Sequence, residues 1–320
     1  MCRFPLPSKL KSFIDALGVT YNREREKAIL TVDADDLRLK NYLGVYFPRS
    51  YGQIRQIYSA LFAVEELAAK ISNESSINVL CFGIGTGGDA AGLIDSIVAS
   101  KTNVKKINLF GIDGNSCALK YAQKIIRKLQ QIDAIEINFH AIHYRLNDEK
   151  DFNTIIEWLS ETYPALRFDF IQTHKACGEL LSGCQILNPY YKFAKSMSPL
   201  LKPYGLLLIA DVAISSANKK YWYPEEMNKD LNKFEQENHS FKTVLPLACN
   251  CYAKECHSPC YSSTRLNNES FCFRLIANAS LLDGVTLSSD KVRYIISHKD
   301  GICRMSQKNI FSKPENGMGI

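Results

Sequence analysis

The sequence feature that most constrains the fold is a glycine-rich turn between an apolar strand pattern and an apolar helix pattern. The segment reads NVLCFGIGTGGDAAGL, from residue 78 to residue 93. Gly83, Gly85 and Gly87 lack the Cβ atoms that would disfavour positive φ or keep a ligand away from the backbone. Gly83, Gly85 and Gly88 also fit the GxGxxG spacing of dinucleotide-binding loops. The turn alone therefore leaves open a nicotinamide cofactor, adenosylmethionine and a plain turn.

Strand and helix patterns alternate from this turn onward, which predicts a parallel sheet with helices on both faces. The predicted strands are Asn78 to Phe82, Ile107 to Ile112, Ile135 to Ile142, Phe168 to Thr173 and Leu206 to Val212. The predicted helices between them are Asp89 to Ser100, Ser116 to Gln131, Phe152 to Thr162 and Gln185 to Leu201. A helix over Glu225 to Glu237 then precedes two strand patterns, Phe241 to Leu247 and Phe271 to Ala277. Because no helix pattern separates these two strands, they predict a closing antiparallel hairpin.

The segments outside this alternation predict terminal extensions. Helical spacing of apolar residues in Leu10 to Leu17 and in Tyr51 to Lys70 predicts a helical N-terminal extension over residues 1–75. The α/β domain is predicted over residues 76–280. In residues 281–320 only Val292 to Ser297 is strand-like, and we expect this C-terminal extension to be partly disordered.

A second landmark for a ligand is Asp113, at the end of the second predicted strand in LFGIDGN. A carboxylate there can accept hydrogen bonds from both hydroxyls of a ribose, in the crevice where open α/β sheets bind ligands. The alternative is an ordinary turn residue that caps the following helix, a role that Asn115 or Ser116 could also fill. Together with the glycine turn, Asp113 favours a nucleoside ligand.

With these landmarks, the chain resembles the class I S-adenosylmethionine-dependent methyltransferases over roughly residues 76–278. The glycine turn is similar to their first motif, Asp113 to the ribose-binding acid of their second, and LLKPYGLLLIADV, residues 200–212, to their fifth strand. The resemblance implies a Rossmann-like seven-stranded α/β sheet and S-adenosylmethionine as cofactor. The implied cofactor-binding residues are Gly83, Gly85, Gly87, Asp113 and Gly114. After the third predicted strand, Asn147 or Asp148 could lie near the adenine, or the residue could be a solvated helix cap. Cys81 departs from the family pattern, which often has an acid there, so another residue must substitute or binding is weakened.

The acceptor site is less constrained by the sequence, and the catalytic residues stay unknown. Methyl transfer is an in-line displacement that is accelerated largely by positioning, and a base is needed only when the nucleophile carries a proton. Under the resemblance, His174 and Glu179, in FIQTHKACGELL, would lie near the transferable methyl. His174 is either a base or a structural histidine.

The predicted acceptor is RNA, and three weak features favour it. They are a net charge of +6, the cysteine-rich insert and a basic aromatic segment with Tyr46, Arg49, Tyr51, Arg55 and Tyr58. Residues 42–61 and 178–181, with that insert, also resemble methyltransferase-like proteins of the small ribosomal subunit, which implies the ribosomal small subunit as a partner. The alternatives are a small-molecule acceptor with the N-terminal helices as a lid, and a non-catalytic assembly factor.

The insert ACNCYAKECHSPCYSS predicts a metal site. Cys249, Cys251, Cys256 and Cys260 are soft ligands within twelve positions, which suits zinc or an iron–sulfur cluster. The spacing is not that of a standard zinc finger, and free buried cysteines are the alternative.

Composition predicts a cytoplasmic chain outside the membrane. The longest apolar run, Leu206 to Ala210, is too short to cross a bilayer, and the N-terminus lacks the apolar stretch of a secretory signal. Eleven cysteines without an export signal imply a reducing compartment, and mitochondrial import stays open.

Overall fold

A computed structural model describes residues 5–21, 33–71, 74–100, 102–133, 135–183, 186–214, 221–245, 262–266, 269–285 and 302–303. The helices are α1 Ser8–Ala16, α2 Asp36–Val45, α3 Phe47–Phe62, α4 Glu65–Ile71, α5 Gly88–Ala99, α6 Ser116–Asp133, α7 Asp151–Thr162, α8 Ala176–Gly183, α9 Pro189–Met197 and α10 Tyr223–Glu237. The strands are β1 Ser76–Phe82, β2 Lys106–Asp113, β3 Glu136–His143, β4 Phe168–His174, β5 Leu201–Val212, β6 Phe241–Leu245, β7 Ser262–Leu266, β8 Glu269–Asn278 and β9 Ile302–Cys303.

These strands form one nine-stranded sheet whose order confirms the predicted fold class, with β7 and β9 added to the seven predicted strands. The order is β3-β2-β1-β4-β5-β8-β7-β9, and β6 pairs with β8 beside β7. Strands β1 to β5 are parallel to their neighbours, whereas β8 runs antiparallel to β5 and to β6, as the closing hairpin predicts. Because β1 lies between β2 and β4, the chain changes direction along the sheet at β1, and the carboxyl ends of these strands frame the crevice where such sheets bind ligands.

Both faces of the sheet are buried, because alternate residues of each central strand enter different clusters. On β1, Val79 and Cys81 join the cluster that holds Ile54 and the other apolar residues of α3. Leu80 and Phe82 join the cluster on the opposite face. The N-terminal helices are thus part of the core.

The N-terminal helices differ from the sequence prediction in their boundaries. The predicted helix Tyr51 to Lys70 is two helices, α3 and α4, and α2 was not predicted. The chain turns at Ala63 and Val64, where the amide of Val64 donates to the Leu61 carbonyl at 3.1 Å. Two acids, Glu65 and Glu66, then fall in the first turn of α4, where the helix dipole favours negative charge.

The predicted helix Gln185 to Leu201 is present but shorter, as α9 from Pro189 to Met197. Before it lies α8, from Ala176 to Gly183, which was not predicted. Proline suits the first position of a helix because it has no amide hydrogen to leave unpaired. Asn188 before it has φ 53°, so the chain turns there. Strand β5 also starts earlier than predicted, at Leu201.

Two predicted elements lie outside the described residues. They are residues 248–261 of the cysteine insert, with its four candidate ligands, and the strand pattern of residues 292–297. Among the helices that the structure describes, none combines the length and apolarity needed to cross a membrane.

Candidate functional site

The glycine turn joins β1 to α5 in the left-handed backbone conformation that the sequence predicts. Gly83, Gly85 and Gly87 have φ values of 66°, 52° and 87°. A Cβ atom on Gly83 would lie 2.5 Å from that of Ala176, so a larger residue would clash as well as strain the backbone. The amide of Gly83 donates to the Ile112 carbonyl at 2.8 Å, which ties the turn to the end of β2.

Asp113, the last residue of β2, binds the glycine turn directly. Its Oδ2 accepts the amide hydrogen of Gly85 at 2.6 Å, and its Oδ1 accepts that of Asn115 at 2.8 Å. Burial raises the pKa of the Asp113 carboxyl above its ordinary value, and the two amide donors oppose that rise. Each carboxylate oxygen can accept a second hydrogen bond, so Asp113 can hold the loop and a ligand at once.

A pocket opens at the carboxyl ends of β1, β2 and β4, with Asp113 in its wall. Its lining residues are Leu39, Tyr42, Phe82, Gly83, Gly85, Thr86, Ile112, Asp113, Gly114, Ala118, Tyr144, Arg145, Leu146, His174, Ala176, Glu179 and Leu180. Four of the six predicted cofactor-binding residues line this pocket: Gly83, Gly85, Asp113 and Gly114. His174 and Glu179, which the resemblance puts near the transferable methyl, line it as well. Gly87 lies just beyond, as the N-cap of α5.

Thr86 is a pocket residue that sequence reasoning missed. Its side chain is 1% exposed, and within the described ranges its hydroxyl has no hydrogen-bond partner. Leaving a buried hydroxyl unpaired costs about 1–3 kcal/mol. A bound molecule with a polar group at Thr86 would remove that cost.

Asn147, the predicted adenine contact, lies next to the pocket wall formed by Tyr144, Arg145 and Leu146. Its side chain is exposed, and its Nδ2 donates to the Arg145 carbonyl at 3.2 Å. Its backbone amide donates a hydrogen bond to the Asp151 carboxylate in the first turn of α7. The neighbouring wall residues are therefore better placed than Asn147 to touch a ligand.

Polar contacts fasten the start of α2 to the rim of the pocket. The guanidinium of Arg145 binds the Asp33 carboxylate at 2.8 Å, and the Tyr121 hydroxyl donates to Asp36 at 2.6 Å. Further along α2, Leu39 and Tyr42 line the pocket. The N-terminal helical segment thus covers the site.

The end of β4 brings His174 to the opposite wall. The residue is 6% exposed, and its Nε2 lies 2.9 Å from Oε1 of Gln53 on α3. Burial, aided by the positive charge of Lys175, holds the pKa of His174 well below its ordinary value. His174 is therefore neutral at neutral pH, and its burial beside Lys175 opposes protonation.

A buried acid lies close to Cys81, and Cys81 stands at the position where the resembled family often has an acid. Asp89, in the first turn of α5, is 3% exposed and accepts a hydrogen bond from Nε2 of Gln172 at 3.2 Å. Gln172 pairs with Cys81 across β1 and β4, and burial raises the pKa of Asp89 to about 7. Cys81 has no carboxyl group. Asp89 therefore supplies one near the glycine turn.

The basic aromatic segment is not the surface that the RNA prediction requires. Tyr51 is 2% exposed and Tyr58 is fully buried, with its hydroxyl 3.1 Å from Gln172. Nε of Arg55 binds Asp95 at 3.1 Å. The part of the RNA prediction that rests on Tyr51 and Tyr58 is wrong, because α3 packs this face against α5 and the sheet. Tyr46 and Arg49 are partly exposed.

No group of three or more histidine, cysteine or acidic side chains gathers as a metal site in the part of the chain that the structure describes. The predicted ligands Cys249, Cys251, Cys256 and Cys260 lie outside that part, so the metal site stays a prediction.

Comparison with solved structures finds methyltransferases among the similar proteins. The plantazolicin methyltransferase BpumL in complex with SAH is 15% identical with a TM-score of 0.42, over 84% of this chain and 98% of that chain. The O-methyltransferase from Bacillus cereus in complex with SAH is 9% identical with a TM-score of 0.43, over 86% and 93%. The plantazolicin methyltransferase BamL is 20% identical with a TM-score of 0.37, over 59% of this chain and 65% of that chain. No family model and no curated protein matches the chain.

Proposed function

We propose that the chain is an S-adenosylmethionine-dependent methyltransferase that binds its cofactor in this pocket. The observation that carries the proposal is Asp113 at the end of β2, hydrogen-bonded to the positive-φ glycine turn and facing the pocket. A carboxylate in this place suits the two hydroxyls of a ribose. When bound, the cofactor supplies an electrophilic methyl group on sulfur.

The residues present fit this cofactor in polarity and shape. Asp113 would hold the ribose, and the turn from Gly83 to Gly85 would let the backbone come close to it. The buried hydroxyl of Thr86 would pair with a polar group of the methionine portion. Ala118 and Leu146 line the pocket and offer apolar surface to the adenine ring.

The direction of the strand beside β5 favours this cofactor over a dinucleotide. A dinucleotide-binding Rossmann domain continues with a sixth parallel strand, whereas β8 runs antiparallel to β5 here. The helices α2 and α3 also close the pocket, through Tyr42 and through the contact of Gln53 with His174.

For the acceptor, we favour a small molecule over RNA or a ribosomal partner. Tyr51 and Tyr58 are buried in the core, and Arg55 forms an ion pair with Asp95. In addition, α2 lies over the pocket. These observations support a small acceptor. The N-terminal helices then act as a lid that excludes water and positions the acceptor, which is where a displacement reaction gains rate.

His174 would accept the proton when the acceptor nucleophile carries one. It lies in the pocket wall and is oriented by Gln53, and proton transfer to it must offset the burial that lowers its pKa. A base is useful only within hydrogen-bond reach of the reacting group, so His174→Gln should slow transfer to a hydroxyl acceptor and leave cofactor binding intact.

Calorimetry tests the cofactor assignment. S-adenosylmethionine and S-adenosylhomocysteine should both bind with one site per chain, and NADH should not. Tight NADH binding without binding of either sulfur compound would overturn the proposal. Transfer of a radiolabelled methyl group to small acceptors, rather than binding alone, would separate an enzyme from a non-catalytic assembly factor.

A further inference from the structure

The first turn of α8 forms part of the pocket wall, and the residue before it cannot cap the helix. Ala176, Glu179 and Leu180 line the pocket. Lys175 precedes the helix, and its carbonyl accepts the amide hydrogen of Glu179 at 3.2 Å, as the carbonyl of an N-cap residue does. A lysine side chain has no acceptor for the amide hydrogens that the first turn leaves unpaired. The start of α8 therefore needs an acceptor from another element.

Asp211, near the end of β5, supplies that acceptor. Its carboxylate is buried, and Oδ2 accepts the amide hydrogen of Gly178 at 2.7 Å and the hydroxyl hydrogen of Tyr190 at 3.0 Å. Its Oδ1 accepts the amide hydrogen of Val212 at 2.8 Å. A negative charge at the start of a helix is also favoured by the helix dipole. One side chain of β5 thus caps α8 and binds α9.

Gly178 permits this close approach. A Cβ atom on Gly178 would lie 2.6 Å from Oδ2 of Asp211, so any larger residue would push α8 and the carboxylate apart. One residue earlier on β5, the Ala210 carbonyl accepts the amide hydrogen of Lys175 at 2.8 Å. Ala176, between these two contacts, faces the glycine turn on its other side. The start of α8 is therefore held between β5 and the glycine turn.

The acid at position 211 is costly to bury, which indicates that the chain uses its contacts. Burial raises the pKa of the Asp211 carboxyl to about 7, and the hydrogen bonds from Val212, Tyr190 and Gly178, with the positive charge of Lys175, oppose that rise. A neutral amide or an apolar residue would cost less to bury. The other titratable side chains that Asp211 acts on are Cys177 of α8, Tyr223 of α10 and Cys272 of β8.

We propose that Asp211 is a positioning residue of the methyltransferase site, which sets the wall beside the transferable methyl by capping α8 from β5. Asp211 is not a pocket residue, so it acts through the first turn of α8 and does not touch the cofactor. The inference rests on the proposed function. Under that function the wall formed by His174 and α8 lies on the methyl side of the cofactor, and Asp113 lies on the ribose side.

The affinities for S-adenosylmethionine and S-adenosylhomocysteine test this role. The two ligands differ only in the methyl group and the charge on sulfur, so contacts to the ribose and the adenine cancel in the ratio of the two affinities. Asp211→Asn puts an amide donor in place of one acceptor oxygen. We expect it to lower the affinity for S-adenosylmethionine about three- to tenfold more than that for S-adenosylhomocysteine. Calorimetry at pH 8, where most of the wild-type carboxyl is ionised, measures both.

Gly178→Ala removes the same contact from the side of the helix. Alanine is more favourable than glycine within a helix, so an effect on helix propensity alone would not weaken α8. We expect the affinity ratio to shift in the same direction as in Asp211→Asn. The double variant should shift it no further than the larger single change, because both substitutions remove one contact.

Asp230→Asn is the matched control. Asp230 on α10 is also buried, and its Oδ2 accepts the amide hydrogen of Tyr191 in the first turn of α9 at 3.2 Å. It thus caps a helix from another element as Asp211 does, but no residue of α9 lines the pocket. Thermal unfolding should show losses of stability in both variants, whereas the affinity ratio should change only in Asp211→Asn.

An unchanged ratio in folded Asp211→Asn and Gly178→Ala, or an equal shift in Asp230→Asn, would overturn the positioning role. If Asp211→Asn does not fold, the ratio in Gly178→Ala decides the question alone. Failure of both ligands to bind the wild-type chain would contradict the proposed function, and the inference with it. Binding of both ligands with a ratio that no variant alters would contradict the inference alone.

Discussion

The carboxylate of Asp113 accepts the amide hydrogen of Gly85 at 2.6 Å, which joins the end of β2 to the glycine turn after β1. The bond links two residues that are 28 positions apart in the chain. The turn therefore keeps its shape through a side chain that also faces the pocket. Cofactor affinity should depend on Asp113 in two ways, through the ribose and through the turn.

Replacement of Asp113 by alanine should weaken binding of S-adenosylhomocysteine by at least about tenfold. Hydrogen bonds to a charged group contribute about 1.5–3 kcal/mol, and the variant also loses the support of Gly85. Titration calorimetry measures the change. Asp169→Ala is the control, because the Asp169 carboxylate also accepts a backbone amide hydrogen, from Asn78 at 2.7 Å, but is not a pocket residue. Equal losses in the two variants would contradict a specific role for Asp113.

Replacement of Thr86 by valine tests the buried hydroxyl in the pocket. The free chain should keep or gain stability, because valine removes an unpaired polar atom at nearly constant shape. Cofactor affinity should fall about five- to tenfold if the hydroxyl pairs with the ligand. Thr173→Val is the control, since Thr173 is equally buried and is not among the pocket residues. Unchanged affinity in Thr86→Val would exclude this contact.

The buried carboxyl of Asp89 should make stability depend on pH. Burial raises its pKa from 3.8 to about 7, so this contribution to stability is complete below pH 3.8 and is lost as pH rises through about 7. Asp89→Asn should therefore gain at least about 1 kcal/mol relative to the wild type between pH 5 and pH 8. Urea unfolding at the two pH values measures this. A pH-independent difference would contradict the shift, and the exposed Asp148→Asn serves as control.

The cysteine insert should carry one zinc ion or one iron–sulfur cluster. Four thiolates within twelve positions favour a soft metal. Anaerobic purification followed by elemental analysis should find the metal in the wild type and in the exposed control Cys117→Ser, but not in a Cys249→Ser, Cys251→Ser double variant. Neither zinc nor iron in the wild type would refute the prediction.

The sheet, and the part of the site formed by the glycine turn and Asp113, could be predicted from the sequence, because both follow from local patterns. Apolar strand patterns alternating with helices predict the order of elements, and the glycine turn followed one strand later by Asp113 predicts which residues meet at the crevice. The antiparallel β8 also followed from the missing helix before it.

The other half of the site could not be predicted, because it is made of contacts between distant segments. Gln53 and His174 are 121 residues apart, and Tyr46 meets Lys175 only because α3 packs over the end of β4. The buried state of Tyr51 and Tyr58 has the same origin. Their spacing fits either a core face or a nucleic-acid surface, and only packing decides between them.

The structure of the chain crystallised with S-adenosylhomocysteine is the most direct test of the cofactor assignment. We predict that both ribose hydroxyls lie within hydrogen-bond distance of the Asp113 carboxylate and that the methionine portion lies beside Thr86. A nucleoside bound elsewhere, or a pocket that takes up only a nicotinamide dinucleotide under the same conditions, would contradict the account.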